Sequence, residues 1–114
     1  MASVVGNWVF TSDWGCDGSI TGSWDQTFHA DGTWTSSLGH SGRWFQVEGL
    51  ITFTFNKVAN LVYACNVTGS WISGIQGYET PGGIKGCHGA HRAGVPASLA
   101  AAVAKKGADP ALGH

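Results

Sequence analysis

The segment Trp24-Asp25-Gln26-Thr27-Phe28-His29-Ala30-Asp31-Gly32-Thr33-Trp34 decides the fold. Over 24–28, large side chains alternate with small polar ones, the period of a strand with one buried face. Asp31-Gly32 then marks a hairpin turn. A two-residue turn there opposes Trp34 to His29 and sends the rings of Phe28 and Trp34 to opposite faces. A three-residue loop with Gly32 left-handed and a bulge opposes Phe28 to Trp34 and keeps both rings on one face, so that register is expected.

The same rhythm extends on both sides. Trp14, Trp24, Trp34 and Trp44 fall ten residues apart, separated by small polar and glycine-rich segments, which is the spacing of an antiparallel meander. Eight stretches, roughly 5–12, 21–29, 33–38, 42–48, 50–56, 61–67, 70–78 and 84–92, are rich in β-branched and aromatic residues and bounded by Gly, Asp, Asn or Pro. Closing such a meander removes its two edges, so the predicted fold is all-β: an eight-stranded antiparallel up-and-down β-barrel over residues 1–92.

Turns on Glu48-Gly49 and Thr68-Gly69, with a loop over 56–60, oppose Trp44 to Phe53, Phe53 to Tyr63 and Cys65 to Ile72. The inner face then carries Trp24, Gln26, Phe28, Trp34, Leu38, Trp44, Gln46, Ile51, Phe53, Phe55, Leu61, Tyr63, Cys65, Val67, Ile72 and Gln76. The outer face is mainly Thr, Ser and Asn, but it also presents Phe45, Val47, Val62, Trp71 and Ile75. An apolar wall outside a barrel predicts a homo-oligomer or a docked helix. Residues 93–114 differ in character. Pro96 precedes an Ala-rich run from Ala97 to Lys106, with Leu99 and Val103 four apart and Gly107 as a stop, which reads as a short C-terminal helix or a flexible tail.

A chain of 114 residues supports one core. Charged residues are 11% of it and the net charge is −1 with no basic stripe, so nucleic acid is not an expected partner. There is no apolar run long enough for a helical span, and Met1 to Gly6 lacks a basic start and an apolar signal core. Membrane association is therefore not expected, and the expected location is cytoplasmic, or secreted if a leader was removed. Cys16, Cys65 and Cys87 form an odd set without CxxC or zinc-ligand spacing. Reduced thiols are expected, with one disulfide as the alternative in a secreted protein. His88 and His91 fall on opposite faces of one strand, and His29 and His40 lie near loops, so no metal or other cofactor is expected.

Gly6-Asn7-Trp8 opens the first strand and Arg92 closes the eighth. This pair, with eight strands spanning it, resembles the signature of the calycin superfamily of lipocalins, fatty-acid-binding proteins and avidins, in which the arginine lies across the first-strand tryptophan and plugs one barrel end. A guanidinium on an indole is a cation–π contact well shaped to fill such an end. The chain is shorter than typical lipocalins and lacks the polar ureido-binding constellation of avidins. The resemblance implies a barrel that holds a small, mostly apolar ligand.

The candidate ligand-binding residues are Trp24, Gln26, Phe28, Trp34, Trp44, Gln46, Phe53, Phe55, Tyr63, Gln76 and His88. A mostly apolar lining with a few polar groups is the make-up of a small-molecule site, and the competing expectation is a barrel filled by its own side chains. The cavity is expected to open at the end opposite Trp8, walled by Trp24, Trp34, Trp44 and Phe53, with Gln46 and Tyr63 as polar contacts and space left by Gly74 and Gly86. Binding of a small apolar or aromatic molecule is the leading functional expectation. The alternative is a cofactor-independent cyclase or isomerase, whose cavity orders a flexible substrate while Tyr63 and His88 act as catalytic groups. A weaker alternative is a carbohydrate-binding or inhibitory module that uses Trp14 and Trp71. The sequence shows no Ser-His-Asp order, paired carboxylates or phosphate loop.

Overall fold

A computed structural model of the protein describes residues 3–96. Its strands are β1 (Gly6–Trp14), β2 (Gly22–Phe28), β3 (Thr33–Ser36), β4 (Ser41–Val47), β5 (Leu50–Phe55), β6 (Leu61–Thr68), β7 (Trp71–Tyr78) and β8 (Lys85–Arg92). Each is antiparallel to the next, and β8 pairs back onto β1 to close the barrel. Closure leaves no free edge among these strands, as the meander predicts. The helix expected over 97–106 lies outside the described residues.

The β2–β3 hairpin takes the bulged form. Gly32 has φ 89° and Phe28 opposes Trp34, so both rings turn inward. Glu48 and Gly49 make the two-residue turn between β4 and β5, and Trp44 opposes Phe53. Two expectations are corrected. The β6–β7 turn uses Gly69 and Ser70, so Thr68 opposes Trp71 and Cys65 opposes Gly74 rather than Ile72. A shift of two residues leaves every side chain on its predicted face. Leu38 is not inward: β3 stops at Ser36, a turn with Gly39 at φ 85° follows, and Leu38 sits 61% exposed at its tip.

The two ends of the barrel differ. One receives the N-terminal segment, the tight β2–β3, β4–β5 and β6–β7 turns, and Arg92. Here the guanidinium carbon of Arg92 stands 4.4 Å from the Trp8 ring centre, while its nitrogens donate to the carbonyls of Val5 (2.9 Å) and Ser3 (2.6 Å). Partial burial lowers the Arg92 pKa without discharging it. From the other side, Gln46 Oε1 accepts the Val4 N–H at 2.9 Å, and Trp8 Nε1 donates to the Val4 carbonyl at 2.8 Å. Residues 3–5 are thus strapped across this end as a lid. Beneath it the interior is filled by Phe10, Phe28, Trp34 and Phe53, with Phe53 5.4–5.9 Å, centre to centre, from the other three rings.

The opposite end is bounded by four loops, over 15–21, 37–40, 56–60 and 79–84, three of them longer than any turn at the lidded end. The first is bound to the barrel by a disulfide between Cys16 and Cys87, which corrects the expectation of reduced thiols at both positions. The cause is barrel closure. Asp13 opposes Cys87 across the β1–β8 ladder, and a turn with Cys16 N–H on the Asp13 carbonyl curls Cys16 back over it. Cys65 remains a buried free thiol whose pKa burial pushes up to about 12.

Gly74 and Gly86 do not open space. A Cβ on Gly74 would strike the Ala64 carbonyl and Cys65, and one on Gly86 would lie 2.6 Å from the Asp13 carbonyl, so both glycines permit close strand contact. On the outer wall Phe45, Val47 and Ile75 are exposed, as read from the sequence, and Leu50 joins them. Val62 and Trp71 are only half-buried there, and the Trp71 ring lies against Gly89.

Candidate functional site

At the loop-bounded end a pocket of about 300 Å³ enters the barrel. Its walls are Trp14, Trp24, Trp34, Phe55, Val58, Leu61 and Tyr78, its floor includes Ser12 and Tyr63, and Thr21, Gly22, Ser36, Leu38 and His40 complete the lining.

Each wall follows from strand alternation and one specific contact. Trp24 is inward on β2 and stacks on Phe10 at 5.5 Å and 11°, with its Nε1 donating to Gln26 Oε1 at 2.9 Å. Trp34 crosses β4 to donate from Nε1 to the Thr54 carbonyl at 3.0 Å. It can do so because Gly42 lies beneath it: a Cβ there would come within 2.6 Å of that indole nitrogen. Phe55 packs edge-on against Trp34 at 4.7 Å and is covered by His40 at 5.3 Å. Across the mouth, Trp14 stacks on Tyr78 at 5.9 Å.

The polar groups fall into two layers. The Thr21 hydroxyl accepts the Trp14 backbone N–H at 3.0 Å and meets the Ser12 hydroxyl at 3.4 Å, which leaves it little capacity for a ligand. Tyr63 is different. Its ring stacks on Phe53 at 4.7 Å, the residue is 3% exposed, and its hydroxyl has no hydrogen-bond partner among the described residues. Burial, helped by the neighbouring Tyr78, pushes its pKa up to about 12, so it is a neutral donor at physiological pH. Below this layer, His88 Nδ1 meets Gln76 Oε1 at 3.0 Å. Because an amide oxygen only accepts, Nδ1 carries the proton and Nε2 is a bare acceptor. Burial lowers the His88 pKa to about 4 and keeps the ring neutral. Among the described residues, His88 Nε2, Gln76 Nε2 and Gln26 Nε2 are buried without hydrogen-bond partners.

The expected site residues therefore separate. Trp24, Trp34, Phe55 and Tyr63 meet in the pocket lining. Gln26, Phe28, Phe53, Gln76 and His88 are buried but outside that lining. Trp44 and Gln46 lie toward the lidded end: Trp44 Nε1 donates to the carbonyls of His29 (3.0 Å) and Thr33 (2.9 Å), and Gln46 holds Val4. The lining residues not foreseen, chiefly Trp14, Tyr78, Val58 and His40, sit at strand ends and in loops. Of these only Trp14 had a signal in the sequence, as the first member of the Trp14-to-Trp44 series.

Among the described residues, the Asp13 carboxylate and the sulfurs of Cys16 and Cys87 have ligand atoms within 4.8 Å of one another. The sulfurs are bonded to each other, and Asp13 accepts the N–H groups of Asp17 (3.2 Å) and Gly18 (2.8 Å), so this cluster secures the 15–21 loop. No helix among the described residues is long and apolar enough to cross a membrane. No protein-family model matches the chain, and no curated protein matches it.

Proposed function

We propose that the protein binds a small, neutral, mostly aromatic molecule in the loop-bounded end of a calycin-like barrel. The observation that carries this reading is an aromatic pocket with the unpartnered Tyr63 hydroxyl at its floor. Indoles and phenyl rings supply flat apolar walls, and one buried donor orients an oxygen-bearing ligand. Among the described residues no Asp, Glu, Lys or Arg lines the pocket, so these walls offer a charged ligand no ion-pair partner in return for its lost hydration. The surrounding loops also carry Ile20, Leu38 and Ile84 more than 60% exposed, which extends apolar contact beyond the mouth.

Titration with 1-naphthol, followed by tryptophan fluorescence, tests the reading. Saturable binding is expected, weakened about tenfold by Tyr63→Phe through the lost hydrogen bond. Trp24→Ala should weaken it more than Trp44→Ala does. Equal effects of the two tryptophan variants, or equal affinity for a naphthalenesulfonate, contradict the proposal.

One contact favours a second reading, the cofactor-independent cyclase or isomerase. The Tyr63 and His88 rings are 4.9 Å apart, centre to centre, so the two groups that such catalysis would use are neighbours. Product formation from a candidate substrate, abolished by Tyr63→Phe while binding survives, distinguishes catalysis from carriage.

A further inference from the structure

Two of the buried polar atoms without partners among the described residues belong to one hydrogen-bonded pair. With His88 Nδ1 donating to Gln76 Oε1, the pair is left with a bare acceptor, His88 Nε2, and an unused N–H donor, Gln76 Nε2. His88 is 6% exposed and Gln76 3%, so bulk water meets neither atom. The register sets the pair at the depth of the pocket floor, directly behind its lining. Ser12, which lines the pocket, opposes His88 across the β1–β8 ladder, and Tyr63, which also lines it, opposes Gln76 across β6–β7. On β8 the next inward position toward the mouth is Gly86, opposite the pocket wall Trp14. A Cβ on Gly86 would come within 2.9 Å of Gln76 Nε2, so the amide fills the place of the side chain that this glycine lacks. The unused donor thus stands on the mouth side of the His88 row, level with Trp14.

We infer that Gln76 and His88 form the polar end of the pocket and recognise a carboxamide, so that the ligand is a neutral aromatic amide. Its head reaches the pair between Ser12 and Tyr63, the lining residues that flank it. Gln76 Nε2 donates to the amide carbonyl, and the amide N–H donates to His88 Nε2. The inference rests on the proposed binding of an aromatic molecule in this pocket, and it specifies the group that such a molecule carries. One donor and one acceptor on separate side chains select a head that both accepts and donates. A carboxylate only accepts, so it would set a lone pair against the bare His88 nitrogen, and no cation lines the pocket among the described residues. An ammonium only donates and leaves the Gln76 N–H unmet. A ketone satisfies Gln76 but leaves His88 unmet. Each buried group left unmet keeps its full desolvation penalty, which is how a site of this kind rejects the wrong head. The carbonyl's second lone pair remains for the Tyr63 hydroxyl, the donor at the pocket floor.

Calorimetric titration of the wild-type chain with naphthalene-1-carboxamide and with 1-acetylnaphthalene tests the inference. The two probes have nearly the same shape, but the methyl ketone has no N–H for His88. The amide should bind at least about tenfold more tightly, the worth of one buried hydrogen bond. Since the amide is the more strongly hydrated of the two, a preference for it comes from the site. His88→Leu should bring the two affinities together, because the discriminating acceptor is gone, whereas Gln76→Leu should weaken both probes. Circular dichroism identifies any variant that has not folded, and the wild-type comparison decides without one. 1-Naphthol, titrated beside them, separates this inference from the reading on which it rests. Saturable binding of 1-naphthol with equal affinities for amide and ketone overturns the inference alone and assigns the pair to a buried water. A folded His88→Leu variant that still prefers the amide tenfold also overturns it. Failure of all three probes to bind overturns both.

Discussion

Arg92 acts on Trp8 and on the backbone of residues 3–5 at once, so its loss removes a stacking partner and two charge-assisted hydrogen bonds together. Arg92→Ala should therefore destabilise the fold by about 1–3 kcal/mol, the range for losing one well-packed, hydrogen-bonded side chain. Urea denaturation measures this. Arg92→Lys should recover only part of the loss, because an ammonium cannot lie flat on the indole and reach two carbonyls. The contact was legible at the level of two residues, Trp8 and Arg92, whereas the lid formed by residues 3–5 was not. Nothing in Ser3-Val4-Val5 distinguishes a strap from the start of a strand until Gln46 and Arg92 are seen to hold it from opposite sides.

At the scale of the strand, alternation reveals which face a side chain takes but not its height along the barrel axis. Parity placed Trp44 and Gln46 inside, and both are engaged there, yet stagger between strands carries them toward the lid and away from the pocket. The same stagger brings Trp14 and Tyr78, at the ends of β1 and β7, together at the mouth. The β6–β7 register slipped by two residues without consequence for parity, which is why most of the inner face could be read despite a misplaced turn. The disulfide lay beyond such reading because its cysteines are 71 residues apart and meet only through the β1–β8 ladder. Unreduced, denatured protein should expose one reactive thiol, Cys65, and reduced protein three. Replacing Cys16 and Cys87 by serine should cost roughly 2–5 kcal/mol in unfolding free energy, as expected for releasing a long covalent loop. It should also weaken 1-naphthol binding, since the freed 15–21 loop carries Thr21 and adjoins Trp14. An unchanged affinity would show that the loop does not shape the mouth.

Across the whole molecule, the barrel has a sealed aromatic half and an open half joined by direct ring contacts, with Gln26, Gln76 and His88 buried between the strands. Three polar side chains at this depth make stability depend on pH through the one member that titrates. His88 has an ordinary pKa of 6.5 when unfolded and about 4 when folded, so between these values the unfolded chain binds more protons than the native one. Stability is therefore full above pH 6.5 and falls as pH drops toward 4, by a total on the order of 3 kcal/mol. Tyr63, whose ring lies against His88, and the buried Cys65 have pKa values of about 12 and stay neutral throughout this window. The exposed carboxylates of Asp17 and Asp31, with pKa lowered by hydrogen bonds, act only below the ordinary carboxylate value of 3.8. Urea unfolding at pH 7 and pH 4.5 should show the loss in the wild type. His88→Leu should be much less sensitive over the same interval, whatever its stability at pH 7, because no buried base remains to resist protonation. An equally steep dependence in that variant would place the titrating group elsewhere and remove His88 from the account of the pH dependence.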